Sequence, residues 1–113
     1  MILFRPVNIE ELKLIKKFDW KEFPPRLPEQ PFFYPVLNEE YANKINKDWN
    51  VPAYGSGYTL QFEIDDRYIS KFKVQNVGGR GYDELWIPSE ELAEFNNHII
   101  NKIEIVKEFN KTN

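Results

Sequence analysis

The chain contains no cysteine, which removes disulfide scaffolds, thiolate zinc sites and a thiol nucleophile together. It has one histidine, His98, too few for a histidine-rich metal site or for a triad built on a histidine base. No metal is therefore expected. No apolar run approaches the roughly 18 residues needed to cross a bilayer, so no membrane partner is expected. Met1-Ile2-Leu3-Phe4-Arg5-Pro6 lacks the basic start and long apolar run of a signal peptide, which predicts a cytoplasmic location. Asn110-Lys111-Thr112 then fits a glycosylation pattern by chance. An excess of positive charge is missing too. Fifteen Lys and Arg against eighteen Asp and Glu leave a net charge of −3, which argues against general nucleic-acid binding and leaves room only for a local basic patch.

What the chain does have is aromatic residues. Nine Phe, six Tyr and three Trp make up 16% of 113 residues, enough large apolar surface for one short domain, residues 1–113, to fold unaided.

Ile2-Leu3-Phe4, stopped by Pro6, reads as an opening strand. Asn8 with Glu11 three residues later matches a helix N-cap, and Ile9, Leu12, Ile15 and Phe18 predict an amphipathic helix over 9–18. Residues 24–35 hold five of the eight prolines. Proline fixes φ and removes a donor, which predicts a stiff extended connector and excludes a regular helix or a central strand. Its Leu27, Phe32, Phe33 and Tyr34 predict that it packs on the core. Asn38-Glu39-Glu40 repeats the helix-start signature, with Tyr41, Ala42, Ile45 and Trp49 following until Asn50 and Pro52 end the helix.

At Tyr58 the period changes. Tyr58, Leu60, Phe62 and Ile64 alternate with polar residues, the signature of a strand with one buried face. Asp65 or Asp66 then caps a short helix, residues 73–77 form a strand, and Gly78-Gly79-Arg80-Gly81 forms a hairpin turn or flap. Leu85-Trp86-Ile87 is a strand closed by Pro88, Ser89 caps a helix reaching Ile99, and residues 103–109 close the chain as a strand. This order lacks βαβ alternation. It predicts an α+β fold with three to four helices on a mixed or mostly antiparallel sheet.

Few residues speak to chemistry. The pairs Glu10-Glu11, Glu39-Glu40, Asp65-Asp66 and Glu90-Glu91 stand at helix starts, where dipole compensation accounts for them. Asp83-Glu84 instead precedes an apolar strand, so a carboxylate is held on a rigid element, as charge stabilisation requires. Arg5 closes the first apolar run, and its donor fork suits a carboxylate or a phosphate. The plain alternative is a strand-end salt bridge, with Glu84 as one candidate partner. Pro25-Arg26-Leu27-Pro28 is too short a motif to stand as a polyproline ligand.

Several phrases taken together resemble a known family. They are Phe4-Arg5-Pro6-Val7, the stretch from Phe23 to Pro31, Phe33-Tyr34-Pro35-Val36-Leu37-Asn38-Glu39-Glu40-Tyr41-Ala42, and Glu84-Leu85-Trp86-Ile87-Pro88-Ser89-Glu90-Glu91-Leu92. They resemble small bacterial proteins carried under an ADP-ribosylation/crystallin label, over nearly the whole chain. The layout is similar to the ADP-ribosyltransferase-like fold, in which a first strand carries His or Arg, a middle strand Ser or Tyr, and a later strand Glu. The resemblance implies NAD as substrate, with Arg5 at its phosphate or ribose. Ser56 or Tyr58 would occupy the second position, Tyr58 stacking on nicotinamide, and Glu84 would be the catalytic carboxylate. Tyr82 stands where arginine-type transferases carry Glu or Gln two residues before the catalytic Glu. An NAD-binding relative that transfers nothing therefore fits as well. The rival expectation is a non-enzymatic module that binds another protein through its aromatic surface and proline connector.

Overall fold

A computed structural model describes residues 1–111; Thr112, the last residue of the glycosylation pattern, lies outside them. The fold is α+β, and every strand pairing is antiparallel. Strand β1 (Ile2–Val7) pairs with β3 (Ser56–Ile64), which pairs with the long β7 (Ile99–Asn110). Between β1 and β3 the chain forms α1 (Ile9–Lys17), β2 (Phe32–Phe33), α2 (Glu39–Ile45) and α3 (Val51–Tyr54). After β3 come α4 (Asp66–Ile69), the hairpin β4 (Val74–Asn76) and β5 (Asp83–Leu85), β6 (Ile87–Pro88) and α5 (Leu92–Asn97).

The proline connector is extended, as expected, yet its end joins the two strand groups from a central place that the prolines were expected to exclude. Val36 exchanges backbone hydrogen bonds with Phe4 at 2.9 and 2.8 Å, and on its other edge Leu85 N–H donates to the Pro35 carbonyl. Leu37 N–H donates to Asp83. Proline is tolerated here because Pro35 serves only as an acceptor. One row therefore runs across the sheet through Gln75, Glu84, Val36, Phe4, Gln61 and Glu104.

Directly paired residues share a face, and neighbours along a strand alternate. Leu3, Arg5 and Val7 of β1 face the main core with Leu60, Phe62 and Ile64 of β3. Phe23, Phe33 and Phe95 pack there around Phe62, with ring centroids 4.9 to 5.9 Å apart. Of the connector residues expected on the core, Phe33 is buried there and Phe32 half-buried, whereas Leu27 and Tyr34 are exposed, because they project from the other side or lie beyond the sheet. The opposite face carries Thr59, covered by α2 and the turn after it. Asn46 Nδ2 donates to Thr59 Oγ1 at 2.9 Å, and that hydroxyl donates to Asn43 Oδ1 at 2.6 Å.

Two helix boundaries differ from expectation. Asn50 and Pro52 do not end the second helix. The chain widens into a π-turn over Asn46–Asn50, where Val51 N–H reaches back to Asn46, and helical backbone resumes through Pro52 until Gly55 at φ 83°. A π-turn accommodates the missing proline donor without breaking the rod. Near the C-terminus, Ser89 makes no side-chain cap; a short 3₁₀ turn precedes α5, and β7 starts at Ile99.

At the free edge of β7, Ile103 N–H donates to the Trp20 carbonyl at 2.7 Å. Asp19 and Trp20 reach that position with φ of 58° and 62°.

Candidate functional site

Arg5 and Glu84 do not meet. Phe4, Val36 and Glu84 are paired in register and share one face, so Arg5, next along β1, projects from the other. Arg5 is 8% exposed, and its partner is Glu11: Nε donates to Oε2 at 2.6 Å and Nη2 to Oε1 at 2.8 Å. The guanidinium lies 4.4 Å from the centroid of the Phe33 ring, and Nη1 donates to the Tyr34 carbonyl at 3.4 Å. Glu11 also sits beneath its helix cap, its N–H donating to Asn8 Oδ1 at 2.9 Å. From the sequence, that carboxylate is expected to serve only the cap and the dipole of α1. The long-range partner carried no signal in the local pattern.

Ser56 and Tyr58 do not join Glu84 either. They lie on β3, opposite Asn110 and Glu108 of β7. Three interstrand steps separate β3 from β5, about 14 Å by strand spacing alone.

Other residues gather around Glu84. Tyr41 Oη donates to Glu84 Oε2 at 2.9 Å, and Trp86 Nε1 donates to Oε1 at 2.7 Å. The carboxylate is thus held by two neutral donors, one from α2 and one from its own chain segment. Burial, then the bond to Glu84, pushes the Tyr41 hydroxyl up to about 12. Tyr82 stacks on Tyr41 with centroids 5.0 Å apart. Asn38 fixes this corner twice, accepting from Tyr41 N–H to cap α2 and donating to the Gly81 carbonyl. Gly78–Gly81 is the turn of the β4–β5 hairpin, with Asn76 Oδ1 accepting from Gly78 and Gly79 N–H. An open depression of about 440 Å³ lies between this turn and α2, lined by Asn38, Glu39, Glu40, Lys44, Arg80 and Tyr82.

On the other side of Glu84, Trp86 joins Phe32 and Tyr34. Their centroids are 6.0 to 6.3 Å apart, and Tyr34 and Trp86 are exposed. Tyr34 belongs to the connector, which runs between β1 and β5. The sequence places Tyr34 on the core with the rest of the connector, and it lies exposed beside Trp86 instead.

Among the described residues no group of three or more His, Asp or Glu is arranged to hold a metal ion, and no helix is long and apolar enough to cross a membrane. No protein-family profile, curated protein or solved structure matches the chain.

Proposed function

We propose that the chain binds NAD beside Glu84 and transfers its ADP-ribose to a nucleophilic acceptor. The observation that carries this reading is the strand order. The strand bearing Arg5, the connector bearing Tyr34 and the strand bearing Glu84 are hydrogen-bonded neighbours. The resemblance asks for Arg, then Ser or Tyr, then Glu on three strands; Ser56 and Tyr58, on β3, stand apart from Glu84, and Tyr34, outside any strand, is the tyrosine that lies between Arg5 and Glu84 across the sheet. Tyr58 stands on the far side of β1.

In this reading the bond from the nicotinamide nitrogen to the ribose carbon breaks, and nicotinamide leaves with the bonding pair. The acceptor attacks the same carbon and gives up its proton to solvent. Glu84 stabilises the positive charge that grows on the ribose, because a preplaced carboxylate acts most strongly where charge develops. Tyr34 and Trp86 offer ring faces to the nicotinamide. Arg5 contributes by position, bonding the Tyr34 carbonyl while neutralised by Glu11. A cytoplasmic location would give access to NAD.

Thermal melting with NAD tests the reading. NAD at a hundred times its dissociation constant should stabilise the fold by about 2.7 kcal/mol. Glu84→Gln should keep that shift and lose nicotinamide release, since the charge acts in the transition state. No shift at millimolar NAD would overturn the proposal. It would leave the second reading, a protein-binding module, which the exposed Leu27, Tyr34 and Trp86 favour.

A further inference from the structure

The connector edge that faces β1 carries two guanidinium groups and one carboxylate. Arg5 Nη1 donates to the Tyr34 carbonyl, and Arg26 Nε donates to the Phe32 carbonyl at 3.0 Å. In an extended segment, carbonyls two residues apart point to the same side, so the two arginines sit along one edge. They supply donors that a neighbouring strand would otherwise provide.

Their charges do not balance. Arg5 and Glu11 neutralise each other through two short hydrogen bonds. Arg26 is half-buried and forms no ion pair among the described residues. Burial, followed by the nearby Arg5 guanidinium, lowers the affinity of Arg26 for its proton; Glu11 opposes this but is already engaged by Arg5. The group of three therefore keeps one uncompensated positive charge in a partly desolvated place. With Nε committed to Phe32, the two Nη nitrogens of Arg26 have no hydrogen-bond partner among the described residues and remain as a fork. A guanidinium fork matches two oxygens of a phosphate, which a point charge such as an ammonium does not.

We propose that Arg26 binds a phosphate or pyrophosphate group at the connector edge, oriented by the Phe32 carbonyl and reinforced by the field of Arg5. This deepens the nucleotide reading by giving the anionic part of the ligand a cation that Arg5, paired with Glu11, does not supply. It rests on that reading only for the identity of the larger ligand. The anion itself is the probe.

Sodium pyrophosphate, without NAD, is titrated into the wild-type chain, Arg26→Gln and Arg26→Lys while melting is followed. The wild type should show a saturable rise in Tm that Arg26→Gln lacks. Arg26→Lys, which keeps charge and loses the fork, should bind about tenfold more weakly. Phosphate-type anions also stabilise proteins generally by exclusion from their surfaces, so an equal rise in wild type and Arg26→Gln would overturn the proposal. So would no rise in wild type. The phosphorus resonance of pyrophosphate offers a second readout, broadened by the wild type and sharp with Arg26→Gln. Pyrophosphate binding through Arg26 in a chain that ignores NAD would refute the nucleotide reading and keep this one. NAD binding unchanged by Arg26→Gln would do the reverse.

Discussion

Arg5 and Glu84 point to opposite faces of one sheet, although a single segment separates the strands that carry them. Their roles are accordingly distinct. Arg5 is a buried cation with its own carboxylate, and Glu84 is a half-buried carboxylate with neutral donors only.

Arg5→Ala or Glu11→Ala should each destabilise the fold by about 3–5 kcal/mol, because either leaves a buried charge without its partner. The double variant should lose much less than the sum, with a coupling energy of about 1–3 kcal/mol in denaturant titrations. Additive losses would show that the two side chains act independently.

Phe62 is 2% exposed and meets the rings of Phe23 and Phe95. Phe62→Ala should cost about 3–5 kcal/mol, the range for emptying a well-packed aromatic site. Equilibrium unfolding measures it directly.

Gly57 is buried under the π-turn, and a Cβ built there would come 2.5 Å from Asn46 Oδ1. That oxygen accepts a hydrogen bond from Asn50 at 2.8 Å, so the neighbour cannot give way freely. Gly57→Ala should therefore lose about 1–3 kcal/mol, typical of overpacking. An unchanged unfolding midpoint would mean that the turn shifts without cost.

Alkaline stability should depend on Tyr41. Its hydroxyl titrates near 10.0 when free and about 12 in the fold, so above pH 10 the unfolded chain loses this proton first. Stability is then fully present below about pH 10 and declines as pH rises towards 12. Tyr68, raised by burial and by its bond to Glu91, adds to the same decline. Unfolding curves across this window should fall less steeply for Tyr41→Phe than for the wild type.

Much of the fold is legible in the sequence where one local rule governs. Asn8 caps α1, Asn38 caps α2 and Asp65 caps α4, each accepting from the N–H three residues on. The alternation in β3 fixes which side faces the core. Where the reading fails, a local signal is answered either by a distant partner or by the geometry of an adjoining turn. Pro35 speaks against a central strand, but β5 asks it only for a carbonyl, and β1 bonds the next residue, Val36. Pro52 speaks for a helix end, but a wider turn spares the donor it lacks. The site behaved likewise. Glu84 stands out in the sequence by its place before an apolar strand, whereas its neighbours Tyr34 and Tyr41, and Arg26, gain their positions from pairings that no spacing rule encodes.

The left-handed turn at Asp19 and Trp20 has a consequence for how copies of this chain coexist. Two successive non-glycine residues at positive φ cost about 1–3 kcal/mol each. The turn brings the Trp20 carbonyl to Ile103 N–H, midway along the outer edge of a 12-residue strand. A bare edge of that length would be a template on which another molecule could continue the sheet. The register shifts between β3 and β7, with Lys102, Glu104, Lys107 and Glu108 along the strand, interrupt it further. Conformational energy spent at one turn thereby takes the Ile103 donor of that edge out of reach of another molecule.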